Sequence, residues 1–114
     1  EEGGYHIKGK SPSEGERLLR DSHALEQAGV SAIVFELVHS PLASLLTKEL
    51  QIPTIGIGSG PDCDGQILVL HDVIGLFPWF RPKFAEPRAD IACEIQRAAR
   101  AFANATKSVD LISK

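Results

Sequence analysis

The sequence predicts an α/β fold in which parallel strands alternate with helices. Two segments carry apolar residues at helical spacing, and each is followed by a short apolar run rich in β-branched residues. Only short connections separate these four elements. Because consecutive parallel strands need a crossover, a helix–strand–helix–strand order with short connections is most simply read as part of a parallel sheet.

The first predicted helix begins at a Ser-Pro pair. Ser11 is expected at the N-cap and Pro12 at the first helical position, with Glu14 completing a capping box. Gly29 is expected just after the C-cap, where a left-handed conformation is common. The residues expected to face the core share helical spacing, and they are Leu18, Leu19, Ala24, Leu25 and Ala28.

The second predicted helix begins at Ser40 and Pro41 with the same capping logic. Its expected inward residues are all leucines: Leu42, Leu45, Leu46 and Leu50. The two predicted strands are residues 32–38 and 54–58. Residues 32–38 lack a regular alternation of polar and apolar residues, so we expect this strand to be buried on both faces.

The remaining sequence is less regular. Residues 67–76 are apolar enough for a strand or a short helix, and residues 77–87 are proline-rich and irregular. A last helix is expected over about residues 88–107, and residues 108–114 are expected to fray. Its inner stripe is expected to be Ala92, Ile95, Ala99 and Phe102. We expect residues 1–114 to form a single β/α unit, about half of a (β/α)8 TIM barrel.

Composition excludes several classes of function. The 114 residues include 12 basic and 15 acidic side chains, a net charge of -3, without a basic block that would favour nucleic acid or an anionic membrane as partner. No apolar run approaches the roughly 20 residues of a membrane span. Two cysteines fit a reducing, cytoplasmic location. The start at Glu1 leaves a processed chain or a piece of a longer protein open.

Glu36 is the main catalytic candidate, because it interrupts the apolar segment SAIVFELVHSP (residues 31–41). It lies near the C-terminal end of a predicted parallel strand, where barrel active sites are found. A buried carboxylate is less readily ionised, which suits a general base near neutral pH. An edge strand with Glu36 in water, or a buried ion pair with Arg or Lys, stays open.

Other polar motifs have structural readings beside the functional ones. The glycines of residues 56–60 either free amides for an anion or form a tight turn, and the turn is favoured. Residues 62–65 are excluded as a calcium loop because its twelfth position is Val73. His71 and Asp72 form either an oriented imidazole or a structural pair. No metal-ligand spacing links His6, His23 and His39. We expect Lys8 and Lys10 to face solvent.

Four segments together resemble the C-terminal half of ketopantoate hydroxymethyltransferase, over about residues 3–107. They are GGYHIKGKSPSEGERLL (3–19), AIVFELV (32–38), IPTIGIGSGPDCDGQILVLHDVIGL (52–76) and PKF (82–84). The resemblance implies the C-terminal part of a (β/α)8 barrel enzyme of pantothenate biosynthesis. That family transfers a hydroxymethyl group from 5,10-methylenetetrahydrofolate to 3-methyl-2-oxobutanoate, giving 2-dehydropantoate.

The resemblance also implies roles for particular residues. The family motif Leu-Glu-Cys-Val-Pro matches residues 35–39, so the general base carries over onto Glu36, whereas Leu37 and His39 depart from the motif. Ser59 stands where alanine is common. Together with Asp64, Gln66, His71 and Asp72, it is expected just beyond a strand's C-terminal end, with loop ordering and folate contacts both open.

Cofactor and partner expectations follow from the same resemblance. Mg²⁺ holds the oxo acid in the family, but its ligands belong to the N-terminal half, so no metal ligand is assigned in this chain. We expect a homo-oligomer or association with an N-terminal half-barrel. Two rival functions are a related magnesium-dependent oxo-acid carbon–carbon lyase and a non-catalytic half-barrel that acts in folding or assembly.

Overall fold

The computed structural model describes residues 6–108, which divide into two compact units between Leu68 and Val69. Two compact units can belong to one domain, so the prediction of a single β/α unit stays a prediction. Of the tail predicted to fray, Ser108 ends the last helix and the rest lies outside the described residues. The elements in chain order are α1 (Pro12–Gln27), β1 (Ile33–Glu36), α2 (Ser40–Glu49), β2 (Thr54–Ile57), β3 (Gly65–Gln66), α3 (Leu70–Val73) and α4 (Ile91–Ser108).

The first unit contains a parallel sheet in the order β1-β2-β3, which confirms the predicted α/β arrangement. Ile33 pairs with Thr54 at the start of β1, and Glu36 pairs with Ile57 at its end. On the other side of β1, Lys8 forms an isolated parallel bridge with Val38. Lys8 is therefore half-buried beside the sheet, and the expectation that it faces solvent is wrong.

Helix capping follows the sequence closely at α1 and less closely at α2. The Ser11 hydroxyl accepts a hydrogen bond from the Glu14 N–H at 3.3 Å, and Gly29 has φ of +92° just after the C-cap, as predicted. Helix α2 already includes Ser40, and its N-cap residue is His39, which makes no capping bond through its side chain. The prediction of Ser40 as the cap is thus wrong by one residue.

Helices α1 and α2 contact each other, and residues of both pack with one face of the sheet to form the core. The buried cluster is Ile33, Phe35, Val38, Ala43, Leu46, Leu50 and Cys63. Leu25 and Leu45 were expected inside, yet they are 44% and 46% exposed, whereas Ser22 and Ala43 are buried. A helix that covers a single sheet face buries a narrower stripe than its apolar residues offer, which explains the difference.

The other face of the sheet is open among the described residues. Val34 is 55% exposed and Glu36 is exposed, while Ile33 and Phe35, which alternate with them, are buried. The prediction that β1 is buried on both faces is therefore wrong for this chain. The sequence of an apolar strand does not show whether its second face is covered by the same chain or by another molecule.

The second unit consists of α3, an irregular segment and α4. Within the apolar residues 67–76, the structure has the short helix Leu70–Val73, one of the two forms that the sequence left open. Ala92 on α4 is buried as predicted, but Ile95 and Phe102 are 54% and 72% exposed, so their prediction as inner residues is wrong. None of the helices between residues 6 and 108 is long and apolar enough to cross a membrane.

Candidate active site

Glu36 is the last residue of β1 and lies at the C-terminal end of the parallel sheet. Its side chain projects to the open face, where its neighbours are Val34, two residues earlier, and Ile57, its partner on β2. Among residues 6–108, no side chain or main-chain group forms a hydrogen bond or ion pair with its carboxylate. The carboxylate is thus uncommitted and exposed, not held in the buried setting that the sequence predicted.

The main chain turns sharply directly after Glu36. Leu37 has φ of +54°, the left-handed region, and its side chain is only 8% exposed. This conformation costs an L-residue about 1–2 kcal/mol, so surrounding contacts must hold it. The Leu37 N–H donates to Ile57 O at 2.9 Å, and Leu37 O accepts from the Lys8 N–H at 2.7 Å. No local sequence signal predicts this feature, because leucine is not a residue that favours positive φ.

Ser59 joins the ends of β1 and β2 by hydrogen bonds. Its side chain is 1% exposed, and its hydroxyl donates to Phe35 O at 2.8 Å and accepts from the Val38 N–H at 3.0 Å. Both partners are main-chain groups, one on each side of the Glu36–Leu37 peptide. The structure therefore brings Ser59 to the same end of the sheet as Glu36, with its hydroxyl occupied by the protein itself.

The glycines that follow β2 have packing reasons. Gly56 lies against Cys63, and a Cβ atom on Gly56 would be 2.9 Å from Cys63 Sγ. Gly60 has φ of +83°, and its O accepts a hydrogen bond from Gln66 Nε2 at 2.9 Å. Both observations favour the tight turn over an anion-binding loop for residues 56–60.

Asp64 lies at the opposite end of the sheet from Glu36. Its Oδ2 accepts a hydrogen bond from the Thr54 N–H at 2.9 Å, and its own N–H donates to Thr54 Oγ1 at 3.2 Å. Thr54 is the first residue of β2, is fully buried, and also bonds Thr47 Oγ1 at 2.7 Å. The expectation that Asp64 lies just beyond a strand's C-terminal end is wrong, because the chain returns to the start of the sheet before β3.

His71 and Asp72 belong to α3, in the second unit. The His71 ring stacks on Phe77 with centroids 5.2 Å apart. Asp72 N–H donates to Val69 O, and Asp72 O accepts from the Gly75 N–H, so these main-chain contacts belong to the helix and its end. Their proposed site roles stay predictions.

The described residues form no metal centre. Between residues 6 and 108, no group of three or more His, Cys, Asp and Glu side chains could hold a metal ion. His23 bonds Glu49 Oε2 at 3.2 Å on the outer side of the helices, which is a contact between α1 and α2. Cys63 and Cys93 are both free thiols.

The fold and the site define a parallel α/β protein with an uncommitted carboxylate at the C-terminal end of its sheet. The family model described as ketopantoate hydroxymethyltransferase matches residues 1–111. This chain belongs to that family.

Relatives named 3-methyl-2-oxobutanoate hydroxymethyltransferase match over most of the chain. The relative from Moorella thermoacetica is 53% identical over 90 residues, which are 79% of this chain and 34% of the relative. The relative from Cenarchaeum symbiosum is 50% identical over 100 residues, 88% of this chain and 38% of the relative. For Trichlorobacter lovleyi the identity is 47% over 105 residues, 92% of this chain and 39% of the relative. This chain therefore spans between a third and two-fifths of the length of these relatives.

Proposed function

We propose that this chain supplies the general base of a hydroxymethyltransferase, and that the base is Glu36. The proposed reaction takes a one-carbon unit from 5,10-methylenetetrahydrofolate to 3-methyl-2-oxobutanoate and yields 2-dehydropantoate. Family membership supports this reaction over the related carbon–carbon lyase, because the relatives are named for hydroxymethyl transfer.

The observation that carries the proposal is the placement of the Glu36 carboxylate. It is exposed on the open sheet face, at the end of the strand where barrel active sites lie, and no residue between 6 and 108 binds it. Its neighbours on this face, Val34 and Ile57, are apolar. A carboxylate in this position has a clear approach for a small substrate and no competing partner among the described groups.

The proposed chemistry begins at C3 of the oxo acid, which is the carbon next to the carbonyl. Glu36 takes the proton from C3, and the electron pair of that C–H bond moves into an enolate. The nucleophilic C3 then forms a bond to the methylene carbon of the folate, as the bonds from that carbon to the two folate nitrogens break. Water supplies the hydroxyl oxygen of the product, and tetrahydrofolate leaves with both nitrogens protonated, one by the proton that Glu36 took and one by the proton from water. Proton abstraction by a positioned side chain contributes about 10²- to 10⁴-fold to a rate, so this step sets the expected loss when the base is removed.

The remaining expectations concern what covers the open face. We propose that it faces the interior of a complete (β/α)8 barrel, formed with an N-terminal half-barrel, and that complete barrels assemble as a cytoplasmic homo-oligomer. The family resemblance implies Mg²⁺, but the side chains of residues 6–108 do not form a site that fits it. No step is therefore derived through the metal, and its ligands are expected outside this chain.

Proton exchange in D2O tests the proposal. The C3 proton of 3-methyl-2-oxobutanoate is followed by NMR, with magnesium in the buffer and without folate. Two preparations are compared: the 114-residue chain, and the Moorella thermoacetica relative with its matching segment replaced by this chain. In each, the wild type is measured beside Glu36→Gln and beside Glu16→Gln, which makes the same change on the exposed side of α1.

In the chimera, the proposal expects exchange that falls about 10²- to 10⁴-fold in Glu36→Gln and stays unchanged in Glu16→Gln. Equal exchange in wild type and Glu36→Gln would show that another group is the base. A folded chimera without exchange above the buffer rate would favour the non-catalytic half-barrel instead.

A further inference from the structure

Ser59 is a fully buried polar side chain at the C-terminal end of the sheet, and its hydroxyl both donates and accepts a hydrogen bond. It donates to Phe35 O at 2.8 Å and accepts from the Val38 N–H at 3.0 Å. These two groups belong to the residue before Glu36 and to the second residue after it. The hydroxyl therefore bridges the short segment that carries the proposed base.

The bridged segment is not ordinary strand. Leu37 has φ of +54°, so the main chain leaves the regular ladder directly after Glu36. A strained conformation persists only where its surroundings determine it, and here three elements do so. The Leu37 N–H donates to Ile57 O on β2, and the Leu37 carbonyl accepts from the Lys8 N–H. The Ser59 hydroxyl bonds the main chain of Phe35 and Val38, the residues on either side of the Glu36–Leu37 pair.

We propose that in this chain Ser59, which stands where alanine is common in the family, is a positioning residue for Glu36, an inference that rests on the proposed function. Leu37 and His39 beside Glu36 also depart from the family motif, so the need for the hydroxyl is specific to this chain. Its hydroxyl fixes the main chain on both sides of Glu36, so that the carboxylate stays at one place on the open face. The hydroxyl does not touch substrate, because its donor and an acceptor position are taken by main-chain groups. A misplacement of about 1 Å can cost a reaction about 10²-fold in rate, so this kind of restraint matters for catalysis.

The test replaces Ser59 by alanine and compares it with Ser22→Ala. Ser22 is also a buried serine of the first unit, 6% exposed, but it lies on α1. Among the described residues, no hydrogen bond joins its side chain to β1. Three quantities are measured for each variant. They are the midpoint of thermal unfolding and the backbone ¹⁵N order parameters of the 114-residue chain, and the rate of C3 proton exchange against oxo-acid concentration in the Moorella thermoacetica chimera.

The expected result separates positioning from stability. In Ser59→Ala, the order parameters at Glu36 and Leu37 fall from about 0.85, the value of a rigid main chain, toward about 0.6. The maximal exchange rate falls by about 10-fold or more, whereas the oxo-acid concentration for half-maximal rate changes less than about 2-fold. Ser22→Ala changes neither quantity, even if its unfolding midpoint falls as much.

Three results would overturn the inference. Unchanged order and unchanged maximal rate in Ser59→Ala, with a lower unfolding midpoint, would make Ser59 purely structural while Glu36 remains the base. Loss of order at Glu36 without any wild-type exchange would instead refute the proposed function and keep only the bridging contact. If Ser59→Ala does not fold, the wild type decides, because rapid hydrogen exchange at the Val38 amide would contradict the bridge.

Discussion

The substitution Gly56→Ala tests whether the glycine run after β2 exists for packing. Gly56 is buried, and a Cβ atom there would lie 2.9 Å from Cys63 Sγ and 3.3 Å from Gln66 Oε1. The first separation is shorter than real Cβ contacts allow, so Cys63 or the main chain must move. Overpacking of this kind costs about 1–3 kcal/mol, against which removing a strand glycine recovers about 0.5–1 kcal/mol. We expect a net loss of roughly 0.5–2 kcal/mol in the free energy of unfolding.

The substitution Cys63→Ala tests whether the cost of Gly56→Ala comes from this one contact. Cys63→Ala removes the sulfur that the new methyl group meets, so Gly56→Ala should cost about nothing in that background. The double-mutant cycle should then give a coupling energy equal to the cost that is relieved, about 0.5–2 kcal/mol, within the range found for neighbouring residues. If the glycine served the approach of a ligand instead, Cys63→Ala would not relieve Gly56→Ala.

Urea unfolding followed by far-UV circular dichroism measures this cycle. Trp79 is the only tryptophan and lies in the second unit, whereas far-UV circular dichroism includes the helices α1 and α2 of the first unit directly. Gly65→Ala is the matched control, because its Cβ atom would meet nothing closer than Ile55 Cγ1 at 3.9 Å. The control should be neutral or stabilising by up to about 1 kcal/mol. A coupling energy below about 0.5 kcal/mol would refute the packing explanation.

Two further predictions concern the ends of the sheet. Leu37→Gly should be more stable than Leu37→Ala by about 1 kcal/mol in urea unfolding, because only glycine relieves φ of +54°. In an ordinary strand the alanine variant is more stable than the glycine variant. If Leu37→Ala were the more stable of the two, Leu37 would not be held in the left-handed region. Thr54→Val should cost about 1–3 kcal/mol by the same measurement, because it leaves the Asp64 N–H without its acceptor. A cost below about 0.5 kcal/mol would mean that water replaces the lost hydroxyl.

Local patterns predicted much of the first unit. Ser11 and Gly29 have side-chain and backbone preferences that act within one turn of helix, so the ends of α1 follow from the sequence. Burial depends on what lies opposite, which no local pattern contains. Leu25 and Phe102 have the spacing of core residues and are nevertheless exposed, because the described residues do not cover them. Strand β3 was also missed, since two residues, Gly65 and Gln66, are too few to show a period.

The candidate site was predicted in part. Glu36 could be identified because a charged residue within an apolar run is conspicuous. It was expected near the end of a strand over residues 32–38, and it is the last residue of the shorter strand that the structure has, Ile33–Glu36. The conformation of Leu37 could not be identified, because it depends on contacts with Ile57 and Lys8 that are distant in sequence. Asp64 was placed at the wrong end of the sheet because nothing in residues 58–64 shows that the loop turns back to Thr54.

The polar side chains of the sheet differ in whether they make hydrogen bonds within the fold. The three strands carry three of them: Glu36, Thr54 and Gln66. Thr54 bonds Asp64 and Thr47 at the N-terminal end, and Gln66 donates to Gly60 O near the opposite end. Of these three side chains, only the Glu36 carboxylate makes no hydrogen bond within residues 6–108, although the main chain directly after it is held by hydrogen bonds from Leu37 to Ile57 and Lys8. An uncommitted, exposed charged side chain contributes little to stability, and its attachment to a restrained main chain is the arrangement that a positioned general base requires.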